Sequence, residues 1–244
     1  MLRLLMPHLS PTAKILDLGA GEGYFSMLVG NVLREQWGIA PAEVLSACDV
    51  TPEIFRYDEI PCTRIETDGH LPYGNGTFDA VCSLEVVEHV EDQFAFCREI
   101  ARVLRPGGTA FISTPNILNL NSRYRSLHSG FATLFNPLPL TGADVVHTSG
   151  HIHPVSYYYL AFALYRAGMR AVSVDYDRFK RSALAILAWS WPFVLLGHIG
   201  FLLKLRRRNP ALVSENAALL RDTASLRMLT SRSIIVRAVL DNSP

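Results

Sequence analysis

The stretch Ile15-Leu-Asp-Leu-Gly-Ala-Gly-Glu-Gly-Tyr24 predicts a buried strand that enters a glycine-rich turn and then a helix. The apolar run ending at Gly19 is typical of a parallel strand covered on both faces. Glycines at positions 19, 21 and 23 let the backbone turn sharply and approach a ligand closely. The classical dinucleotide pattern G-x-G-x-x-G needs a glycine where this chain has Tyr24. The stretch therefore predicts a ligand-binding turn, with a purely structural strand-to-helix turn as the alternative.

The alternation of strands and helices continues beyond this turn. Helical stretches of crossover length between strands imply right-handed βαβ units and a parallel sheet covered on both faces. We therefore predict an α/β fold with a doubly wound, mostly parallel seven-stranded sheet, in a single domain over 1–244. Ligands of such sheets bind at the carboxyl ends of the strands. Strands are predicted at 14–19, 43–49, 62–67, 78–83, 109–114, 169–176 and 233–240, and helices at 23–36, from Thr51, at 91–104 and at 154–167.

Composition limits the function classes. The 23 Lys and Arg residues nearly balance the 22 Asp and Glu residues, so a broad electrostatic grip on nucleic acid is not expected. The four cysteines form no C-x-x-C pair, which favours a reducing cytosol over a disulfide framework. Pro7 interrupts the apolar N-terminus, so we predict a short helix there instead of a signal peptide.

Acidic residues follow the second and third predicted strands. Asp49 can accept the hydrogen bonds of a ribose diol, as the acid of dinucleotide folds does. Its alternative role is a helix N-cap, although Thr51 already supplies one. Asp68-Gly69 follows the third strand, where an acid can accept from an adenine amino group.

Four stretches in this order resemble the class I S-adenosylmethionine-dependent methyltransferases, especially the small-molecule branch related to quinone and cell-surface methyltransferases. They are ILDLGAGEGYFS, the strand end at Asp49, DGHLPYGNGTFDAVCSLEVVEHVED and LRPGGTAFISTPN, which together cover about the first half of the chain. The resemblance implies S-adenosylmethionine as the cofactor and a Rossmann-like fold.

The resemblance also implies roles for particular residues. Asp17, Gly19, Gly21 and Gly23 match the loop that holds the methionine moiety, and Asp49 matches the ribose acid. Asp68 with Gly69 matches the adenine contact, and Glu85 matches the position beneath the sulfonium. The chain departs from the family pattern in a longer Gly30–Pro41 connection and in lacking most of the N-terminal helices that often cover the cofactor, so the identity of the lid is left open.

Methyl transfer is an in-line displacement that mainly requires alignment and exclusion of water. A base is needed only if the acceptor is a hydroxyl or a protonated amine. The candidates are His89, His151 and His153, each of which has a structural role as its alternative, together with His147. Asp144 and His147 also raise a metal site, but their spacing matches no strong zinc template, so no metal is predicted.

Two insertions are predicted: a substrate loop over 116–153 and a hydrophobic and basic helical insertion over 180–230. Residues 183–203 carry no charge and are about as long as a membrane span. Basic residues flank both ends, and the last strand must rejoin the sheet, which argues against one crossing. We therefore expect a helix, bent at Pro192, whose residues 183–208 lie in one leaflet at the cytoplasmic face of a membrane. The alternative is a helix buried against the domain or in a dimer interface.

These features predict methylation of a hydroxyl on a lipid-linked or cell-surface glycan precursor. The glycan acceptor is suggested by the resemblance of Pro115–Arg125 to methyltransferases encoded with bacterial cell-surface polysaccharide enzymes. The alternatives are a quinone-type small-molecule O-methyltransferase and a non-catalytic module with the same fold. A nicotinamide-dependent oxidoreductase is disfavoured by Tyr24 and Asp68-Gly69.

Overall fold

The computed structural model describes residues 1–66, 69–139 and 150–242. Its centre is one seven-stranded sheet of order β3-β2-β1-β4-β5-β7-β6. The pairs among β1 to β5 are parallel, whereas β7 runs antiparallel to both β5 and β6. The mostly parallel doubly wound sheet predicted from the sequence is therefore confirmed. The strands are β1 Ile15–Leu18, β2 Leu45–Asp49, β3 Cys62–Arg64, β4 Phe78–Leu84, β5 Leu104–Pro115, β6 Met169–Tyr176 and β7 Ser233–Leu240.

Helices cover both faces of the sheet. Apolar side chains form two large clusters, one of which contains Phe78, Ile100 and Leu160 and the other Leu5, Val29 and Phe111. β1 is central, and all four of its residues are buried. The helices are α1 Leu2–Leu5, α2 Tyr24–Trp37, α3 Pro41–Val44, α4 Gln93–Val103, α5 Leu120–Ser129, α6 Tyr157–Arg166, α7 Arg181–Arg208, α8 Pro210–Glu215, α9 Ala217–Asp222 and α10 Leu226–Thr230.

The helix predicted from Thr51 is wrong in extent. Only one 3₁₀ turn, Pro52–Ile54, forms there, without a side-chain cap. The Thr51 hydroxyl donates to Asp49 Oδ1 at 3.0 Å, so it is not used as an N-cap. The helix expected from Glu91 begins at Gln93, because the carboxylate of Asp92 caps it by accepting from Ala95 N.

The hydrophobic and basic insertion leaves the sheet after β6 and returns to it at β7. At its base Lys180 N donates to Thr230 O at 2.7 Å, and Phe179 bridges Ser231. Within the described residues α7 is the one helix long and apolar enough to cross a membrane. Only Ala183 and Ser190 of its 28 residues are buried. The alternative of a helix buried within the domain is therefore not what this chain forms.

Candidate active site

The glycine-rich turn lies at the carboxyl end of β1, between the ends of β2 and β4. Gly19, Gly21 and Gly23 all have positive φ, between 52° and 86°, a region that favours glycine. A Cβ on Gly19 would lie 2.4 Å from Val86, and one on Gly23 would lie 2.8 Å from Phe55. A Cβ on Gly21 would meet nothing within 4 Å. The turn is thus packed against protein at two glycines and open at the third.

Asp49 connects this turn to the end of β2. Its Oδ2 accepts from Gly21 N at 2.8 Å, and its Oδ1 accepts from Thr51 N at 2.8 Å as well as from the Thr51 hydroxyl. A carboxylate has about four acceptor sites, so roughly one remains for a ligand. A second bond from a ribose diol would require the Thr51 hydroxyl to turn away. Asp49 thus holds the turn in place by hydrogen bonds and keeps about one acceptor site for a ligand.

Asp17 lies beneath the turn and is buried. Its Oδ2 accepts from the Ser26 hydroxyl at 2.6 Å, which joins β1 to α2. Burial raises the pKa of Asp17 to about 6, and the bonds from Ser26 offset part of that effect. Asp17 therefore supports the turn from below rather than presenting its carboxylate to solvent.

The remaining predicted cofactor residues are Asp68, Gly69 and Glu85. Asp68 lies outside the described residues. Gly69 is exposed, with a φ of 74°. Glu85 follows β4 with a φ of 54°, which is costly for a residue with a side chain. Its Oε1 accepts from Ser113 Oγ at 3.1 Å, and burial raises its pKa.

Three of the predicted histidines lie close to the segment that follows β4. The rings of His89 and His151 meet edge to face with centroids 4.8 Å apart. His89 Nδ1 lies 3.0 Å from Gly150 O, and His153 Nδ1 lies 2.7 Å from Val90 O. These backbone acceptors assign the proton to Nδ1 in both rings. His89 therefore hydrogen-bonds to the backbone of a residue 61 positions away in the sequence and not to a near neighbour.

His147 and Asp144 lie outside the described residues, as does the rest of 140–149. The described end of the predicted substrate loop is held on the segment after β4. Ile152 N and His153 N both donate to Glu88 O at 3.0 Å. This contact fixes His151 and His153 beside His89.

Glu88 is the site residue that the sequence reasoning missed. It is fully buried, its Oε2 accepts from Thr114 Oγ1 at 3.0 Å, and its Oε1 has no partner among the described residues. Burial raises its pKa to about 7, and the nearby charge of Glu85 adds to the effect. No local signal distinguished it, because Glu88 stands among other acidic residues, Glu85, Glu91 and Asp92, and its burial follows from the fold.

The described residues fit the cofactor expected from the sequence. The open space at Gly21 lies beside the remaining acceptor site of Asp49, and the backbone at Gly19 and Gly23 can adopt this path only without side chains. A nucleoside bound across the ends of β1 and β2 would find both a close backbone approach and a carboxylate.

Comparison with known proteins points to one class. Residues 16–112 match the family model described as a methyltransferase domain. The chain is 30% identical over 155 residues to a "Probable S-adenosylmethionine-dependent methyltransferase" of Mycolicibacterium smegmatis, an alignment covering 61% of this chain and 58% of that protein. It is 33% identical over 117 residues to the ubiquinone biosynthesis O-methyltransferase of Xanthomonas campestris, covering 43% and 44%. The chain thus spans about half the length of these curated relatives.

Solved structures share the architecture. A SAM-dependent methyltransferase from Archaeoglobus fulgidus matches with a TM-score of 0.56 at 14% identity, covering 98% of this chain and 90% of that one. Phosphoethanolamine N-methyltransferase 2 of Haemonchus contortus, solved with S-adenosyl-L-methionine, matches with a TM-score of 0.51 at 16% identity, covering 98% and 51%. Residues 16–112 are therefore similar to a methyltransferase domain, and the chain shares its fold with solved S-adenosylmethionine-dependent methyltransferases.

Proposed function

We propose that this chain is an S-adenosylmethionine-dependent methyltransferase that methylates a hydroxyl of a lipid-linked acceptor at the cytoplasmic face of a membrane. The main observation in support of this cofactor is the open turn at Gly21, which Asp49 holds at the carboxyl edge of the sheet. The matched methyltransferase domain and the relatives named for this cofactor support the same class.

S-adenosylmethionine, when bound, supplies a methyl group on a positively charged sulfur. The chain's own task is to position an acceptor oxygen in line with that methyl group and to exclude water. Glu85 lies at the end of β4, where its carboxylate favours a positive charge nearby. His153 donates through Nδ1, so its Nε2 is left as the acceptor of the ring and can take the proton of a hydroxyl.

The membrane contact is argued from α7. Trp189, Phe193 and Leu196 are 60%, 73% and 67% exposed, although they are among its largest apolar side chains. Large apolar side chains that are exposed together on one helix mark an interaction site. Arg206, Arg207 and Arg208 end the helix and would meet anionic headgroups. An apolar helix flanked by basic residues is typical of interfacial binding.

A lipid tail would have a place beside α7. An open apolar groove of about 500 Å³ runs between α7 and the α9–α10 segment, lined by Leu187, Trp191 and Leu229 among others. The same segment is anchored to the active edge of the sheet, because Asn116, directly after β5, donates to Met228 O at 2.7 Å. One wall of the groove is thus hydrogen-bonded to the chain just after β5, the strand that carries Ser113.

The acceptor headgroup is proposed to be a glycan precursor, as the sequence predicted. A quinone is the second candidate, because one relative is named as a ubiquinone biosynthesis O-methyltransferase. To distinguish them, the protein is incubated with methyl-labelled S-adenosylmethionine and a bacterial membrane lipid extract. Label in an acid-labile lipid-linked sugar supports the glycan, and label in a neutral quinone fraction supports the second candidate. No label in any lipid fraction would contradict the lipid-linked acceptor.

Flotation with phosphatidylcholine vesicles, with and without phosphatidylglycerol, tests the membrane contact. We expect binding that increases with anionic lipid and that Trp189→Ser with Phe193→Ser abolishes. Replacing Arg206, Arg207 and Arg208 by Ser should weaken binding by about 3 kcal/mol, at roughly 1 kcal/mol per basic residue. Phe94→Ser, an exposed Phe outside the insertion, is the matched control. Equal flotation of all variants, or none of the wild type, would contradict the contact.

A further inference from the structure

Glu88, His89 and His151 form a cluster whose ligand atoms all lie within 4.8 Å of one another. We infer that these three side chains bind one divalent transition-metal ion beside the acceptor site. Binding of the ion rests on the cluster alone, whereas its role toward the acceptor rests on the proposed function.

Within the described residues, each of the three side chains presents an acceptor atom that no hydrogen bond occupies. Glu88 Oε1 and His151 Nδ1 are buried and have no partner among the described residues. His89 uses Nδ1 toward Gly150 O, so its Nε2 carries the free lone pair. Unpaired buried polar atoms are costly, and one cation between the three acceptor atoms would satisfy them together.

The separations suit an ion after small side-chain adjustments. Ligand atoms about 2.1 Å from one tetrahedral ion lie roughly 3.4 Å apart. The ligand atoms of the cluster, which lie within 4.8 Å of one another, reach this separation by small side-chain rotations. Among the described residues no hydrogen bond holds Glu88 Oε1 or His151 Nδ1 in place. The backbone of the two segments is already joined, because Ile152 N and His153 N donate to Glu88 O.

The outer contacts resemble those of known metal sites. Metal-binding histidines usually donate their second nitrogen to a carbonyl, as His89 does to Gly150 O. Metal-binding carboxylates are usually held by a further hydrogen bond, as Glu88 is by the Thr114 hydroxyl. These contacts orient the free atoms toward a common point.

The donor set selects the class of ion. Two imidazoles and one carboxylate suit Zn²⁺ and other first-row divalent ions, whereas Mg²⁺ prefers an all-oxygen shell. Three protein ligands leave a coordination position open, as in catalytic zinc sites. His89 and His151 are only half-buried, so an oxygen of the acceptor can reach that position. The ion would orient the acceptor hydroxyl and lower its pKa, while His153 takes the proton.

The competing explanation is a single proton shared by Glu88 and a histidine. It would satisfy the same free atoms without any metal, and it predicts no specific uptake of an ion. Titration with metal ions therefore separates the two explanations without an activity assay.

The experiment uses the full chain after chelator treatment and dialysis. Titration with Zn²⁺ is followed by calorimetry, and titration with Co²⁺ is followed by visible absorption. Co²⁺ bands without thiolate charge transfer would exclude the cysteines as ligands. We expect one ion per chain, with Mg²⁺ failing to compete. Glu88→Gln and His151→Ala should each weaken Zn²⁺ binding at least about 100-fold, the upper end of what loss of an outer contact costs. His128→Ala, which removes an exposed histidine on α5, should bind as the wild type does.

Failure of a folded wild type to bind either ion would overturn the inference, as would equal binding by both variants. If Glu88→Gln does not fold by circular dichroism, His151→Ala carries the test alone, because that ring is only half-buried. The same samples are titrated with S-adenosylmethionine. Ion uptake without cofactor binding would contradict the proposed function only, and the reverse result would contradict the metal site only.

Discussion

Strand β5 and helix α7 are both apolar segments, but the protein covers only one of them. Residues 108–115 of β5 are almost entirely buried, and Phe111 and Ile112 are fully enclosed between the two helical layers. In α7 only Ala183 and Ser190 are buried, and large aromatic side chains face outward. Burial in the core explains why β5 is apolar. The apolar side chains of α7 are not covered by the domain, so a surface outside it must account for them.

The largest contrast comes from the same substitution in both segments. Phe111→Ala should lower the free energy of unfolding by about 3–5 kcal/mol, because it leaves a cavity in the core. Phe193→Ala, at a side chain that is 73% exposed, should change it by less than about 0.5 kcal/mol. Urea denaturation in detergent-free buffer measures both. A cost above 1 kcal/mol at Phe193 would show that protein covers α7 in solution.

The glycine turn offers a second contrast. Gly19→Ala should cost about 3 kcal/mol, because its Cβ would lie 2.4 Å from Val86 and its φ is 74°. Gly38→Ala, with a φ of 65° and nothing within 4 Å, should cost only about 1 kcal/mol. The two unfolding free energies are compared directly, and equal costs would mean that packing at Gly19 is unimportant.

Asp17 predicts a pH dependence. Its folded-state pKa is raised to about 6 from an ordinary 3.8, so its contribution to stability is full below pH 3.8 and is lost as the pH rises through 6. Wild type should therefore lose roughly 2–3 kcal/mol relative to Asp17→Asn between pH 4 and pH 7. Denaturation of both proteins across this range is the measurement. If the difference in unfolding free energy between the two proteins does not change with pH, burial does not raise the pKa of Asp17.

Asp49 gives the smallest of these effects, and it concerns binding. Asp49→Ala should weaken S-adenosylmethionine binding by about 1.5–3 kcal/mol through loss of charge-assisted hydrogen bonds. Asp49→Asn serves as the comparison, because its amide oxygen still accepts while the charge is lost. Calorimetry on both variants checks this. Unchanged affinity in Asp49→Ala would contradict the placement of the ribose.

Local pattern was enough for the sheet and for the turn. Six of the seven strands were predicted within three residues of their bounds, because apolar runs bounded by glycine or acid report directly on burial, as at Ile15–Leu18. β5 begins at Leu104, five residues before the predicted start. The helix after Thr51 was overpredicted because the Thr51 hydroxyl bonds to Asp49, a choice that depends on the folded turn.

The site beyond the cofactor loop depends on long-range contacts. His89 meets Gly150 and His151 only because the chain returns over the end of β4 after about 60 residues. The sequence identified these histidines one by one, but nothing local paired them or marked Glu88 as their neighbour. The sequence favoured an exposed α7 because basic residues flank its apolar run, whereas the apolar run alone looks the same whether protein or lipid covers it.

The most direct measurement is calorimetric titration of the intact chain with S-adenosylmethionine and with its demethylated product. We expect one site per chain with micromolar affinity for both compounds. A folded sample that binds neither compound would contradict it and would favour a methyltransferase fold that serves only as a binding module.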